Sequence, residues 1–217
     1  MSAILLEREI VHYEVLGRGR PVIFLHGWVG SWRYWIPVMQ AASTSFRAYA
    51  LDLWGFGDSS KNRLNYPIEQ QLQLLERFLE QMGIMKTAVI GHGLGAVLAL
   101  LYAQRHPQAV DRVMVVGFPG EVGLVNARLR SAAPLELAEW LLGRNGISEA
   151  VRADAPKTDA AALRITLQDM GSLPLAQLWR KMSTACLMVN GEKDPAVQPL
   201  PLEQLVEMPA QMHAVSF

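Results

Sequence analysis

The 217-residue chain is short of three things, and each shortage closes off a class of function. It has one cysteine, Cys186. A single thiol excludes an internal disulfide framework and fits a reducing compartment. Cys186 stands in Ala185-Cys186-Leu187-Met188-Val189, which reads as a buried core thiol rather than a reactive one. No charge of either sign is in excess: twenty Lys and Arg balance twenty Asp and Glu. Nothing in that balance points to nucleic acid or to an anionic membrane surface. Long hydrophobic runs are missing too. The longest, Leu94 to Ala103, falls short of the ~20 residues that span a bilayer. Glu7, Arg8 and Glu9 stand near the start, where a signal peptide would be apolar. These features predict a cytoplasmic protein with no membrane partner. The sequence shows no repeats and no low-complexity segment.

What is present is an alternation of two periodicities. Residues 10–15 alternate like a strand, and 21–25, 48–52, 87–90 and 113–116 are short apolar runs of the kind buried on both faces of a sheet. Between them, 70–82 carries Leu72, Leu75, Phe78 and Leu79 at helical spacing, and 94–106 is an apolar helix. Repeated βαβ units predict an α/β fold: a mostly parallel, doubly wound sheet flanked by helices. Residues 121–180 break the pattern. They are helix-rich, with Trp140, Leu141, Leu142, Leu163 and Trp179, and hold no strand pattern. The β pattern returns at 185–189 and 214–217. The expected organisation is therefore a core of residues 1–120 and 181–217, with 121–180 inserted as a small helical cap.

The most informative segment is Thr87-Ala88-Val89-Ile90 running into Gly91-His92-Gly93-Leu94-Gly95-Ala96, a strand, a sharp glycine turn and a helix. Three more blocks accompany it. His26-Gly27-Trp28 follows a buried strand, Asp52 to Ser59 reads Asp-Leu-Trp-Gly-Phe-Gly-Asp-Ser, and Gly191-Glu192-Lys193-Asp194 follows another strand. In this order the four blocks resemble the α/β-hydrolase fold family, of the capped esterase, lipase and C–C hydrolase type. The turn matches the nucleophile elbow G-x-S-x-G at every position but the one that does chemistry, where Gly93 replaces serine.

The resemblance implies roles for particular residues. Gly93 stands at the nucleophile position. The backbone N–H groups of Trp28 and Leu94 are the expected oxyanion-hole donors, and these survive side-chain replacement. The Trp28 ring either lines the pocket or packs over its loop. Asp194 is the expected acid of the triad; its competing reading is an Asx-type turn before Pro195. Glu121 is the second candidate for the acid. The family places its catalytic histidine after the last strand. Here that strand runs to Phe217, where the sequence stops, so either this is a truncated product or a natural form that ends early. His213 precedes the strand and falls at the wrong edge. His26 usually has a structural role in the family, His92 projects from a different position than the nucleophile, and His12 and His106 look like surface residues. Trp140 and Trp179 are expected on the substrate side of the cap.

Glycine also removes the strain of a Cβ at the elbow's positive φ, about 1–3 kcal/mol. The family likeness implies a small apolar ester or related carbonyl substrate, no metal and no cofactor, and a protein that can form homo-oligomers. With nucleophile and base missing, the chain is expected to be inactive by the serine route, or to serve as a non-catalytic ligand-binding or interaction protein on the same fold. A rival pattern is the dinucleotide fingerprint G-x-G-x-x-[GA] formed by Gly91, Gly93 and Ala96, with Asp111 twenty residues on. Asp111 precedes its strand, at the end opposite the turn, which argues against that reading.

Overall fold

The computed structural model describes residues 2–131, 133–142 and 149–217, with side chains of 142 and 149–151 left aside. The described residues form one eight-stranded sheet in the order β1-β2-β4-β3-β5-β6-β7-β8. The strands are β1 (Ser2–Leu6), β2 (Glu9–Leu16), β3 (Arg20–Leu25), β4 (Phe46–Leu51), β5 (Thr87–His92), β6 (Val110–Val116), β7 (Cys186–Asn190) and β8 (Met212–Ser216). Strands β1, β2 and β4 pair antiparallel; every pair from β4 through β3, β5, β6 and β7 to β8 is parallel. The apolar runs fall where both faces are covered: Ile23, Phe24 and Leu25 of β3 are fully buried.

Helices α1 (Ile36–Ala42), α2 (Ile68–Gln81) and α3 (Leu94–Arg105) link the parallel strands. Helix α2 buries Leu72, Leu75, Phe78 and Leu79 and leaves its other side to charge, as its spacing requires. Helix α3 is buried almost all round, hence its continuous apolar sequence. Its start crosses the sheet closely. A Cβ on Gly95 would lie 2.2 Å from the Leu25 carbonyl oxygen, so only glycine fits.

Strand β1 has no counterpart in the sequence pattern. It joins β2 through Glu7 and Arg8 alone, both at positive φ (49° and 72°). A two-residue hairpin of this kind is normally signalled by Asn-Gly or Asp-Gly, and Glu-Arg hides it.

Between β6 and β7 lie α4 (Arg128–Ser131), α5 (Pro134–Leu142), α6 (Glu149–Asp154), α7 (Ala160–Met170) and α8 (Leu175–Arg180). Helices α6 and α7 meet the loops at the carboxyl ends of β3 and β4. Asp159 N–H donates to Gly55 O at 2.8 Å, and Ile68 N–H donates to Asp169 Oδ2 at 2.7 Å. Residues 122–126 stay with the core. Val125 bridges to Val197, and Asn126 N–H donates to Ala196 O at 2.9 Å. Helix α8 packs on α3 instead of over the sheet edge. A short helix, α9 (Leu202–Leu205), precedes β8. No helix among the described residues is long and apolar enough to cross a membrane.

Candidate active site

The turn between β5 and α3 places Gly93 at φ 53° and ψ −110°, in the left-handed half of backbone space. Gly93 N–H donates to Val116 O at 2.9 Å, so the end of β6 anchors the turn. Gly93 O accepts from Ala96 and Val97 at 3.1 and 3.2 Å, and Gly95 N–H donates to His26 O at 3.1 Å. Leu94 N–H, the first amide of α3, donates to no described residue.

The loop after β3 lies against this turn. Its peptide groups are accounted for one by one. His26 O accepts from Gly95; Gly27 N–H donates to the Tyr34 hydroxyl at 2.6 Å; Gly27 O accepts from His26 Nδ1 at 2.8 Å. Trp28 N–H is left without a partner among the described residues. Peptide planarity sets its direction opposite to Gly27 O. His26 is fully buried, and its Nε2 accepts from Leu53 N–H at 3.0 Å, so the proton sits on Nδ1. Burial lowers the His26 pKa against the opposing pull of Asp52, which keeps the ring neutral. The Trp28 indole lies over Gly93: a Cβ there would be 3.2 Å from its Cε3 and Cζ3.

His92 Nδ1 lies 3.3 Å from the Tyr34 hydroxyl. Burial lowers the His92 pKa, with Asp194 opposing. Asp194 sits in the loop after β7. Its Oδ1 accepts from Ala196 N–H at 2.8 Å and Val197 N–H at 3.2 Å, the Asx-type turn. Its Oδ2 stays clear of that turn. A Cβ on Gly117 would lie 3.2 Å from Asp194 Oδ2 and 3.6 Å from His92 Nε2, so the carboxylate and the imidazole face each other across a residue with no side chain. Glu121 instead accepts from Gln204 Nε2 at 2.7 Å and is exposed.

The block from Asp52 to Ser59 is a knot rather than a reactive group. Buried Asp52 accepts from Trp32 N–H at 2.8 Å and Asp58 N–H at 2.9 Å, and meets His12 Nδ1 at 2.9 Å. Ser59 Oγ donates to Asp52 O at 2.7 Å. His12, expected at the surface, is therefore buried. Its partner is forty residues away in sequence, where no periodicity could reveal it.

The two tryptophans separate. Trp140 is half-buried on α5 with the Arg128 guanidinium 5.2 Å from its ring centre. Trp179, expected on the substrate side, is instead completely buried on α8. Gln104 Nε2 donates to Leu178 O at 2.7 Å, beside it in sequence. Gln104 lies ten residues past Leu94 on α3, about 15 Å from the turn at 1.5 Å per residue. Trp179 is thus a core residue. His213 is exposed in the first half of β8, level with Leu187, away from the carboxyl edge. Asp111 lies at the amino end of β6, the end away from the turn, and pairs with Lys86 at 2.8 Å.

Residues 20–141, more than half of the chain, match the alpha/beta hydrolase fold family. A soluble epoxide hydrolase of Corynebacterium sp. is 32% identical over 106 residues, covering 49% of this chain and 37% of that protein. The chain thus spans little over a third of that relative's length. An enol-lactonase from Burkholderia xenovorans superimposes on the whole chain and 91% of its own at TM-score 0.84 and 18% identity. A serine-to-glycine variant of an N-acyl homoserine lactonase, solved with N-hexanoyl homoserine lactone, does so over 99% of this chain and 88% of its own, at TM-score 0.81 and 19% identity. The sheet order, the strand–turn–helix at Gly93 and the family match together establish that the chain belongs to the alpha/beta hydrolase fold family.

Proposed function

We propose that this protein binds a small, apolar carbonyl compound, an ester or lactone, at the turn around Gly93 and holds it without covalent turnover. The observation that carries the reading is Gly93 itself: an elbow conformation with φ 53° at the head of a buried helix, and no side chain on it. Covalent hydrolysis needs a side-chain nucleophile, whether hydroxyl, thiol or carboxylate, and glycine supplies none. The two unpartnered amides, Trp28 and Leu94, flank that position and are built to donate to an oxygen. Two such donors would bind a ground-state carbonyl and polarise it, and Gly93 offers no side chain to attack it. The serine-to-glycine lactonase variant solved with its lactone is a precedent in the same fold. Trp140 and the rest of the cap would supply the apolar wall.

Titration with N-hexanoyl homoserine lactone tests this. The expected result is saturable binding, with Kd roughly between 10 µM and 1 mM for a ligand of this size, and lactone recovered intact by chromatography. A fluorophosphonate should label no residue. Multiple turnovers, or stoichiometric labelling at Ser31 or Ser59, would overturn the reading.

A further inference from the structure

We propose that Tyr34 is a positioning residue for ligand binding: its hydroxyl clamps Gly27 and so presents Trp28 N–H to the ligand's carbonyl oxygen, an inference that rests on the function proposed above. Four backbone groups define the two peptides around Gly27. Gly95 N–H holds His26 O, His26 Nδ1 holds Gly27 O, and the Tyr34 hydroxyl holds Gly27 N–H at 2.6 Å. Trp28 N–H is the one left for a ligand. Gly27 has no Cβ, so both of its dihedrals are soft; the peptides on either side need separate restraints. The first two bonds come from elements recognisable in the sequence. The third comes from a tyrosine seven residues on that no motif marks.

Tyr34 does more than accept one bond. The same oxygen that accepts from Gly27 N–H lies 3.3 Å from His92 Nδ1, and the other imidazole nitrogen is on the Asp194 side. One hydroxyl therefore ties the loop after β3 to the last residue of β5. Its ring also meets His92 edge-on, centroids 5.8 Å apart, and packs on Trp35 at 5.0 Å. The ring alone can hold its place without the hydroxyl, so Tyr34→Phe separates the clamp from the packing.

Two measurements test this. In the ligand-free protein, Gly27 N–H should be protected from hydrogen exchange although it lies in a loop, and Tyr34→Phe should speed its exchange at least tenfold while β3 amides stay unchanged. In binding, Tyr34→Phe should weaken N-hexanoyl homoserine lactone about tenfold. The analogue whose ring carbonyl is replaced by methylene should bind wild type and variant alike. Unchanged Gly27 exchange, or equal weakening of both ligands, would overturn the inference. If wild type binds no lactone, the proposed function fails, and the exchange of Gly27 alone still decides whether the clamp exists.

Discussion

Gly93 lies beneath the indole of Trp28, and a Cβ added to it would sit 3.2 Å from two of the ring's carbons. That contact is tighter than ordinary van der Waals distance, so the glycine and the tryptophan fit each other as a pair.

Restoring a side chain should therefore cost stability before it brings chemistry. Gly93→Ser places a Cβ at positive φ, about 1–3 kcal/mol, and also presses on Trp28. The expected melting temperature falls by roughly 2–10 °C. Ester turnover should stay within about a hundredfold of background. His26 has both nitrogens engaged, His92 points to Tyr34, His12 meets Asp52 and His106 lies 2.7 Å from Glu76 Oε1. Full turnover of a p-nitrophenyl ester by this variant would show that one of these serves as base.

The segment that carries α6 is latched to the loop after β3 through Asp154, which is 3% exposed. Its carboxylate accepts from Ser31 Oγ, meets Arg33 Nε at 3.0 Å and Lys157 Nζ at 3.1 Å. Asp154→Ala takes away the acceptor of the Ser31 hydroxyl, while Arg33 at 3.6 Å and Lys157 at 2.8 Å keep Asp58 as a shared partner, for an expected loss of about 1–3 kcal/mol. Amide exchange in residues 152–158 should accelerate more than in the sheet. Uniform acceleration across both would argue that no separate latch exists.

Stability should fall as pH drops below about 6.5. Burial lowers the pKa of both His26 and His92, so the folded state binds fewer protons than the unfolded one in that range. The stabilisation is complete above the unfolded value of about 6.5 and is lost on acidification toward the folded values. The urea midpoint should therefore fall progressively between pH 7 and pH 5. His92→Gln should shrink that dependence; an unchanged slope would remove His92 from the account.

The two tryptophans should respond differently. Trp179→Ala opens a hole in the core and should cost about 3–5 kcal/mol. Trp179→Phe should leave ligand affinity unaltered. Trp140→Ala should weaken lactone binding with a smaller loss of stability. Loss of binding in Trp179→Phe at unchanged melting temperature would return that residue to the site.

Cys186 should resist thiol reagents until the chain unfolds. It is buried in β7, and burial pushes its thiol pKa up to about 12, so almost no thiolate forms at neutral pH.

Much of the site was legible in linear order because its recognition elements are local. Strand, glycine turn and helix at 87–105 are contiguous, and their periodicities and glycines report backbone needs directly. The loop after β7 is similar: Asp194 shows both its turn bonds and a carboxylate oxygen directed away from them. The residues that were misplaced or passed over owe their positions to partners far along the chain. His12 is buried because Asp52 meets it, Tyr34 matters because Gly27 and His92 converge on its hydroxyl, and Trp179 is core because α8 docks on α3.

By itself the sequence determined the layer order of the fold, the strand–turn–helix at Gly93, and the absence of a side chain there, since each follows from residue type and spacing within a few turns of chain. Tertiary structure alone decided which amides remain free, which histidines are buried, and how α6 and α7 seat on the carboxyl ends of β3 and β4. Those properties depend on hydrogen-bond partners and burial supplied by segments that meet only when the sheet has assembled, and no local periodicity encodes such a meeting.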